Sequence, residues 1–562
     1  MILEKLSTTS NYFKKHKKIT LIILPIIIYT CISFYFFGPH HLSDFKNKIF
    51  TPSGDPESFI WFLSWWPFAI THHLNPFISN YIWFPKGYNL AWSTSIPTLS
   101  LIMMPITLLF NATLSFNLLS IMAPALSAIS FFYLSFFITK KILPSLFSGY
   151  FYGFSSYELG QLLGHTCLNY TFLLPLIILV LLARYSNKIG RLFFICSLSI
   201  LLVLQFGISI EIFATFIFFL AISVCIFFIF NKDIRHRILV LSKESAYSII
   251  ISIILLSPYI YFLIIGFKSV PKFINSPQVF SSDLLNYIIP TPITSLGKTV
   301  FYSISARFTG NFLEEGAYLG IPLILICFDY FKSYWKTKYT KAFFVIFLLI
   351  ILFSLGPILQ INGYATTIKL PWYYLENIPL LRTALPTRFT LYVSFITALI
   401  VLLWLNKPGY RYIKYLFVII ALFFILPNQT AYNWQSVKVP RIFQPKISYI
   451  AYKKSSSVII FPFGYNGDSM YLQYVSKFAF IQQGGYVGYI PIYYSNQPLV
   501  NSFYSGQTIP NFNNLFYSYC ISNKVNKIIY LPETNQNIIN ELNGLHWQTQ
   551  TIGSSTIITV PD

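Results

Sequence analysis

TPSGDPESFIWFLSWWPFAITHHLNPFISNYIWFPKGYN, from Thr51 to Asn89, decides what kind of molecule this is. Two carboxylates, Asp55 and Glu57, stand just ahead of an aromatic block too short to cross a bilayer, which takes about 20 consecutive apolar residues. The block follows the first long apolar run, so it is expected to lie along a membrane face with two acids at its edge. Acids are scarce, 17 Asp and Glu in 562 residues, and a pair in this place asks for a chemical reason.

The rest of the chain supports a membrane reading. Hydrophobic residues make up 55% and charged residues 10% of the sequence, and the mean hydropathy is +0.60. A soluble globular chain carries about 25% charged residues, so that class is excluded. The formal net charge of +22 would suggest nucleic acid in a soluble protein. Here the Lys and Arg fall in short clusters between apolar segments, where they set topology, and no nucleic-acid partner is expected. The six cysteines lie mostly inside apolar segments without CxxC spacing, which indicates neither a disulfide framework nor a zinc site.

Apolar runs predict eleven spans: 19–37, 113–139, 144–160, 168–184, 191–206, 208–230, 246–266, 317–332, 341–358, 387–405 and 412–427. Ile96 to Phe110 is shorter and holds Pro97 and Pro105, so it is read as re-entrant or interfacial. With that choice the clusters around Lys5–Lys18, Lys140–Lys141, Arg184–Arg191, Lys232–Lys243, Lys332–Lys341 and Lys407–Lys414 all face inward. They hold 21 of the 39 basic residues. The expected topology has a cytoplasmic amino terminus and an extracytoplasmic carboxyl terminus.

The polar residues then collect on the outer side. Asp55, Glu57, His72 and His73 lie in the first outer loop, Glu158, Gln161 and His165 at the end of the third span, and Glu211 near the end of the sixth. Arg307, Glu314 and Glu315 follow in the loop from Phe267 to Gly316, with Arg382 and Arg388 around the re-entry to the membrane. A single outward-facing polar site is the economical expectation. Asp55 is its candidate general base, because a carboxylate there can take a proton from an attacking hydroxyl or amine. Asp55 also reads as the N-cap of an interfacial helix with Pro56 at its first position, and the two readings are compatible. Trp65 and its neighbours fit a sugar-stacking platform or an interfacial aromatic belt. Arg382 and Arg388 fit a bidentate grip on a lipid phosphate or interfacial anchoring. Glu211, near the end of a span, needs a wet cavity or a partner. His72 and His165 show no fixed ligand spacing, so no resident metal or other cofactor is expected.

After about Pro427 the long apolar runs stop. Strands are expected at Val458–Phe461 and Ile528–Leu531, a short helix capped by Thr534 and stopped by Gly544, and a closing hairpin turning at Gly553–Ser554. GGY at Gly484–Tyr486 reads as a tight turn.

GDPESFIWFLSWWP, NPF, PKGYNLAW, YGFSSYELGQLLGH, EEGAYLG, SLGPILQINGY and RTALPTRF, with the order of basic terminus, span, large outer loop, bundle and outer domain, resemble the GT-C superfamily of membrane glycosyltransferases and a bacterial group related to it. The resemblance covers most of residues 19–427. It implies a mainly α, polytopic helix bundle of about eleven spans, with juxtamembrane helices in the first outer loop. The domains would be 1–18 (cytoplasmic basic terminus), 19–427 (membrane domain, including the loop 38–112) and 428–562 (small extracytoplasmic α/β domain). It further implies transfer of a hexosyl or pentosyl group from a polyprenyl-phosphate donor to a glycan, lipid or protein acceptor of the cell envelope. Asp55 matches the family's first-loop acid and Glu57 is its alternate; GDPE stands where the family carries paired acids. Arg382 and Arg388 would hold the lipid phosphate, and Glu158, His165, Glu211, Arg307, Glu314, His72 and Trp65 would line the substrate cavity. A transporter or flippase of a lipid-linked glycan, and a non-catalytic envelope-assembly protein, are the rival readings.

Overall fold

A computed structural model of the protein describes residues 2–51, 55–267, 275–377, 384–445, 447 and 456–561, with side chains from Thr20 onward. It is mainly helical. Among the described residues seven helical segments are long and apolar enough to cross a membrane: Thr20–Phe37, Ala112–Thr139, Thr166–Tyr185, Arg191–Ile208, Ile210–Phe230, Lys232–Leu255 and Pro386–Asn406. The protein is therefore a multi-pass membrane protein. The other expected spans are helical but short. Ile142–Gly153, Gly320–Tyr334, Lys338–Ser354 and Arg411–Phe424 have 12, 15, 17 and 14 residues. At 1.5 Å per residue they rise about 18 to 26 Å, less than the roughly 30 Å hydrocarbon core. The expected span 246–266 is divided, with Ser257–Gly266 a separate helix that has proline at its start.

The chain forms two compact units. The first comprises residues 1–40, 119–254 and 275–433, and the second residues 41–118, 255–274 and 434–562. The units are thus assembled from several runs of chain, unlike the consecutive segments 19–427 and 428–562 expected from composition.

In the first unit the helix within Pro386–Asn406 is the most enclosed span, with 83% of its apolar window buried. Ile142–Gly153 packs closely on it, and Ser148 Oγ donates to the Ala398 carbonyl at 2.7 Å. On its other side the same short helix meets Ala112–Thr139 through Gly149 and Gly153. A Cβ on Gly153 would stand 2.4 Å from the Pro124 carbonyl oxygen and 2.5 Å from the Ala128 nitrogen. Small residues four apart permit such backbone approach between membrane helices.

The second unit unites the first outer loop with the carboxyl-terminal segment. Its five-stranded mixed sheet runs in the order Thr549–Ile552, Ser555–Thr559, Lys527–Tyr530, Ser457–Phe461, Ile481–Gln482. The first three are antiparallel, and Ser457–Phe461 is parallel to both its neighbours. Ile442, Phe443, Val458, Ile460, Leu472, Phe480, Ile529 and Ile557 form its buried core. The helix Gln536–Asn543 is capped by Asn535, whose side chain accepts from the Asn537 nitrogen; the cap expected at Thr534 lies one residue too early.

The aromatic block is the helix Asp55–Thr71, packed on Pro97–Leu109 and Ser469–Val475. Its tryptophans are neither a belt nor a sugar platform. Trp61 is fully buried and Trp65 is 1% exposed, their rings stacked 5.2 Å apart. Burial is tolerated because each indole N–H finds an acceptor: Trp61 donates to Gln473 Oε1 at 2.8 Å, Trp65 to the Pro76 carbonyl at 3.0 Å and Trp66 to the Ser95 carbonyl at 3.1 Å. Backbone bonds from Trp83 N to Gly484 O and from Gln482 N to Tyr81 O join the loop to the sheet domain.

Candidate functional site

Three of the motifs that stand far apart in the chain meet in the first unit. Helix Ser156–Gln161 and the segment Leu313–Gly316 touch through glycines: a Cβ on Gly160 would lie 2.6 Å from the Leu313 carbonyl oxygen, and one on Gly316 2.8 Å from Tyr157 Cα. Thr387, in the turn Pro386–Phe389, donates from Oγ1 to the Glu314 carbonyl at 2.6 Å.

These contacts assemble a charged cluster. Arg388 Nε donates to both Glu314 carboxylate oxygens at 3.2 Å, and Nη2 donates to Oε1 at 2.5 Å. Its Nη1 donates to Glu211, in the first turn of Ile210–Phe230, whose other oxygen accepts from the Leu385 nitrogen at 3.4 Å. Gln161 Nε2 donates to Glu314 Oε2 at 3.1 Å. His165 Nδ1 lies 2.6 Å from Gln161 Oε1, an acceptor, so the ring proton is on Nδ1. The same nitrogen is 3.6 Å from Glu314 Oε1. Burial pushes the Glu314 carboxyl up, but the charges of Arg388 and His165 and the hydrogen bonds from Arg388 and Gln161 outweigh it and hold the group below its usual range.

Four expected residues, His165, Glu211, Glu314 and Arg388, thus come together. Two carboxylates face one guanidinium, which leaves Arg388 little capacity for a further anion. Glu158 is separate from them. It is fully buried, and its carboxylate accepts from Thr171 Oγ1 and, at 2.9 Å, from Asn169 Nδ2, so it is an internal tie rather than a cavity wall. Glu315 is also buried, against Asp283. Burial first, then the Asp283 and Glu314 charges, drive its carboxyl well above the ordinary range. Arg307 is exposed, and among the described residues it makes no ion pair. Arg382 lies outside the described residues.

In the second unit Asp55 is the partly exposed first residue of its helix. Its carboxylate shares a side-chain hydrogen bond with Tyr486, whose phenol is pushed up by burial and by the Asp55 charge. Ser58 Oγ donates to the Tyr486 carbonyl at 2.8 Å. Glu57 is 5% exposed and acts electrostatically on Tyr471. Residues two apart on a helix point to different faces, so Asp55 and Glu57 do not form a two-carboxylate clamp. His72 is exposed at the far end of the helix, about 25 Å along a 17-residue axis from Asp55, with Nδ1 2.8 Å from the Phe68 carbonyl. It does not accompany Asp55.

Tyr486 is the residue that sequence reasoning missed. The GGY turn is real, with Gly484 and Gly485 at φ of 140° and 119°, but it serves to bring the following phenol to Asp55. No short-range pattern marks that pairing.

The family model of a domain of unknown function, DUF6311, matches residues 26–427. No curated protein sequence matches the chain. Among solved structures, the arabinofuranosyltransferase AftD from Mycobacteria is similar over 96% of this chain and 41% of its own length, with a TM-score of 0.54 at 9% identity. The oligosaccharyltransferase of Archaeoglobus fulgidus, in complex with Zn and sulfate, is similar over 90% of this chain and 67% of its own, with a TM-score of 0.51 at 12% identity. The oligosaccharyltransferase AglB of the same organism, in complex with an inhibitory peptide and a dolichol-phosphate, gives a TM-score of 0.47 at 11% identity over 92% and 70% of the two chains. At these identities the likeness concerns the fold, which is GT-C-like.

Proposed function

The chain belongs to the DUF6311 family and has a GT-C-like membrane glycosyltransferase fold, and from this premise we propose that it moves a sugar from a polyprenyl-phosphate carrier to an envelope acceptor on the outer face of a bacterial inner membrane, with Asp55 as general base. Asp55 accepts the proton of the acceptor hydroxyl as that oxygen bonds to the anomeric carbon. The bond from the same carbon to the carrier phosphate breaks, and the carrier leaves as the phosphate anion. The leaving group is already activated, so the reaction needs no resident redox or group-carrying cofactor.

The observation that carries the reading is the setting of Asp55. It is the partly exposed carboxylate at the head of the first-loop helix, oriented by the Tyr486 phenol, whereas Glu57 is buried. A fixed, accessible carboxylate is what a general base requires. Arg382, and Arg307, which makes no ion pair among the described residues, are the cations proposed for the carrier phosphate. Arg388 holds Glu211 and Glu314 and thereby seats the segment 313–316; it acts as a positioning residue.

The test is complementation of a deletion strain. Wild-type protein restores the missing envelope glycan, read by mass spectrometry, and Asp55→Asn, expressed at the same level in the membrane, does not. A full glycan complement with Asp55→Asn overturns the reading.

A further inference from the structure

Asp55, from the first outer loop, stands at the edge of a tyrosine cluster drawn from the carboxyl-terminal sheet domain of the second unit. Tyr486 bonds its carboxylate. Tyr465 lies edge-on to Tyr486, centroids 5.8 Å apart at 73°, and stacks on Tyr504 at 4.9 Å and 23°. Tyr504 is held by Phe463, 5.1 Å away at 76°, and by Asn466 Nδ2, which donates to its carbonyl at 2.8 Å. Its position requires Gly464, at φ +61°, because a Cβ there would stand 2.4 Å from the Tyr504 hydroxyl.

One feature is unusual for packing alone. Tyr465 is 52% exposed although Tyr504 backs one face of its ring. An open aromatic face and a carboxylate, with no basic group among them, suit a neutral ring that carries hydroxyls on its edge and C–H groups on its face. They do not suit a phosphate, which the carboxylate would repel.

We propose that Asp55, Tyr465, Tyr486 and Tyr504 form the acceptor subsite and that the acceptor is a saccharide rather than a peptide or a lipid. The inference rests on the reading of Asp55 as base, because the hydroxyl that Asp55 deprotonates belongs to whatever the cluster holds. The acceptor sugar lies on the open face of Tyr465 with its attacking hydroxyl at Asp55, and Tyr504 backs the platform from within. Tyr486 is a positioning residue.

Saturation-transfer NMR on the full chain in detergent micelles, with a panel of neutral methyl glycosides and their disaccharides as probes, tests this. At least one glycoside is expected to bind. Tyr465→Ala should weaken that binding about tenfold or more, Tyr465→Trp should retain it, and a serine- and threonine-containing peptide should not compete. Absence of binding by every glycoside, unchanged binding in a folded Tyr465→Ala protein, or displacement by the peptide overturns the proposal. Asp55→Asn separates the two readings: saccharide binding with transfer intact leaves the acceptor subsite standing and removes the base, whereas transfer lost with Asp55→Asn but no saccharide bound by wild-type protein does the reverse.

Discussion

Arg388 shows how a membrane protein makes an arginine at the end of a span tolerable. Two carboxylates, from residues 74 and 177 positions away, use its donors. Breaking such a buried network by removing one partner leaves uncompensated charge and costs roughly 3–5 kcal/mol. Arg388→Met should therefore lower the unfolding temperature sharply, and adding Glu314→Gln should recover part of the loss; independence of the two changes in a double-mutant thermal series contradicts the pairing. Because the Glu314 carboxyl is held below its usual range, its contribution is present at neutral pH and is lost as pH falls through that lowered value. Glu315 has the opposite sign. Its folded-state value is raised, so its contribution is complete below the ordinary carboxylate range and declines as pH rises. Glu315→Gln keeps the shape without the titration. Its unfolding temperature should fall less than that of wild type as pH rises from about pH 5 to about pH 8, a difference measurable by scanning fluorimetry.

Glycines decide how the elements meet. Gly153 brings helix Ile142–Gly153 against the backbone of Ala112–Thr139, and Gly160 brings Ser156–Gln161 against Leu313. Gly160 has no open space for a side chain, so Gly160→Val forces segment 313–316 away from its seat and moves Glu314 relative to Arg388. Overpacking of this kind costs about 1–3 kcal/mol. The variant should lose stability and glycan transfer together, judged by size-exclusion of the detergent-extracted protein and by envelope mass spectrometry. A wild-type profile in both would mean that this contact does not position the cluster. YELGQ, EEGAYLG and RTALPTRF were recognisable as motifs, but only their contact explains them: each supplies one side of the same buried charge network. Trp65 shows the converse, since an indole in an aromatic run looks alike whether it faces lipid, sugar or a protein core, and here the Pro76 carbonyl accepts its N–H hydrogen bond.

At the scale of the whole molecule the hydropathy pattern and the basic clusters predict an inner amino terminus and an outer carboxyl terminus. Alkaline phosphatase fused after the last residue should be active, and fused after Lys141 or Lys407 inactive; the reverse pattern refutes this topology. The sequence by itself determined the membrane class, the position of most helices and Asp55 as the acid to test, because partition into a bilayer depends on apolar content summed over neighbouring residues, which a linear reading measures directly. Only the tertiary structure decided that four short helices complete the first unit, that Glu158 and Trp65 are internal, that Arg388 is committed to Glu211 and Glu314, and that Tyr486 meets Asp55. Those outcomes depend on hydrogen bonds and ring contacts between residues up to several hundred positions apart, such as Ser58 with Tyr486 across 428 residues, and side-chain pairing at that separation leaves no periodicity in the chain.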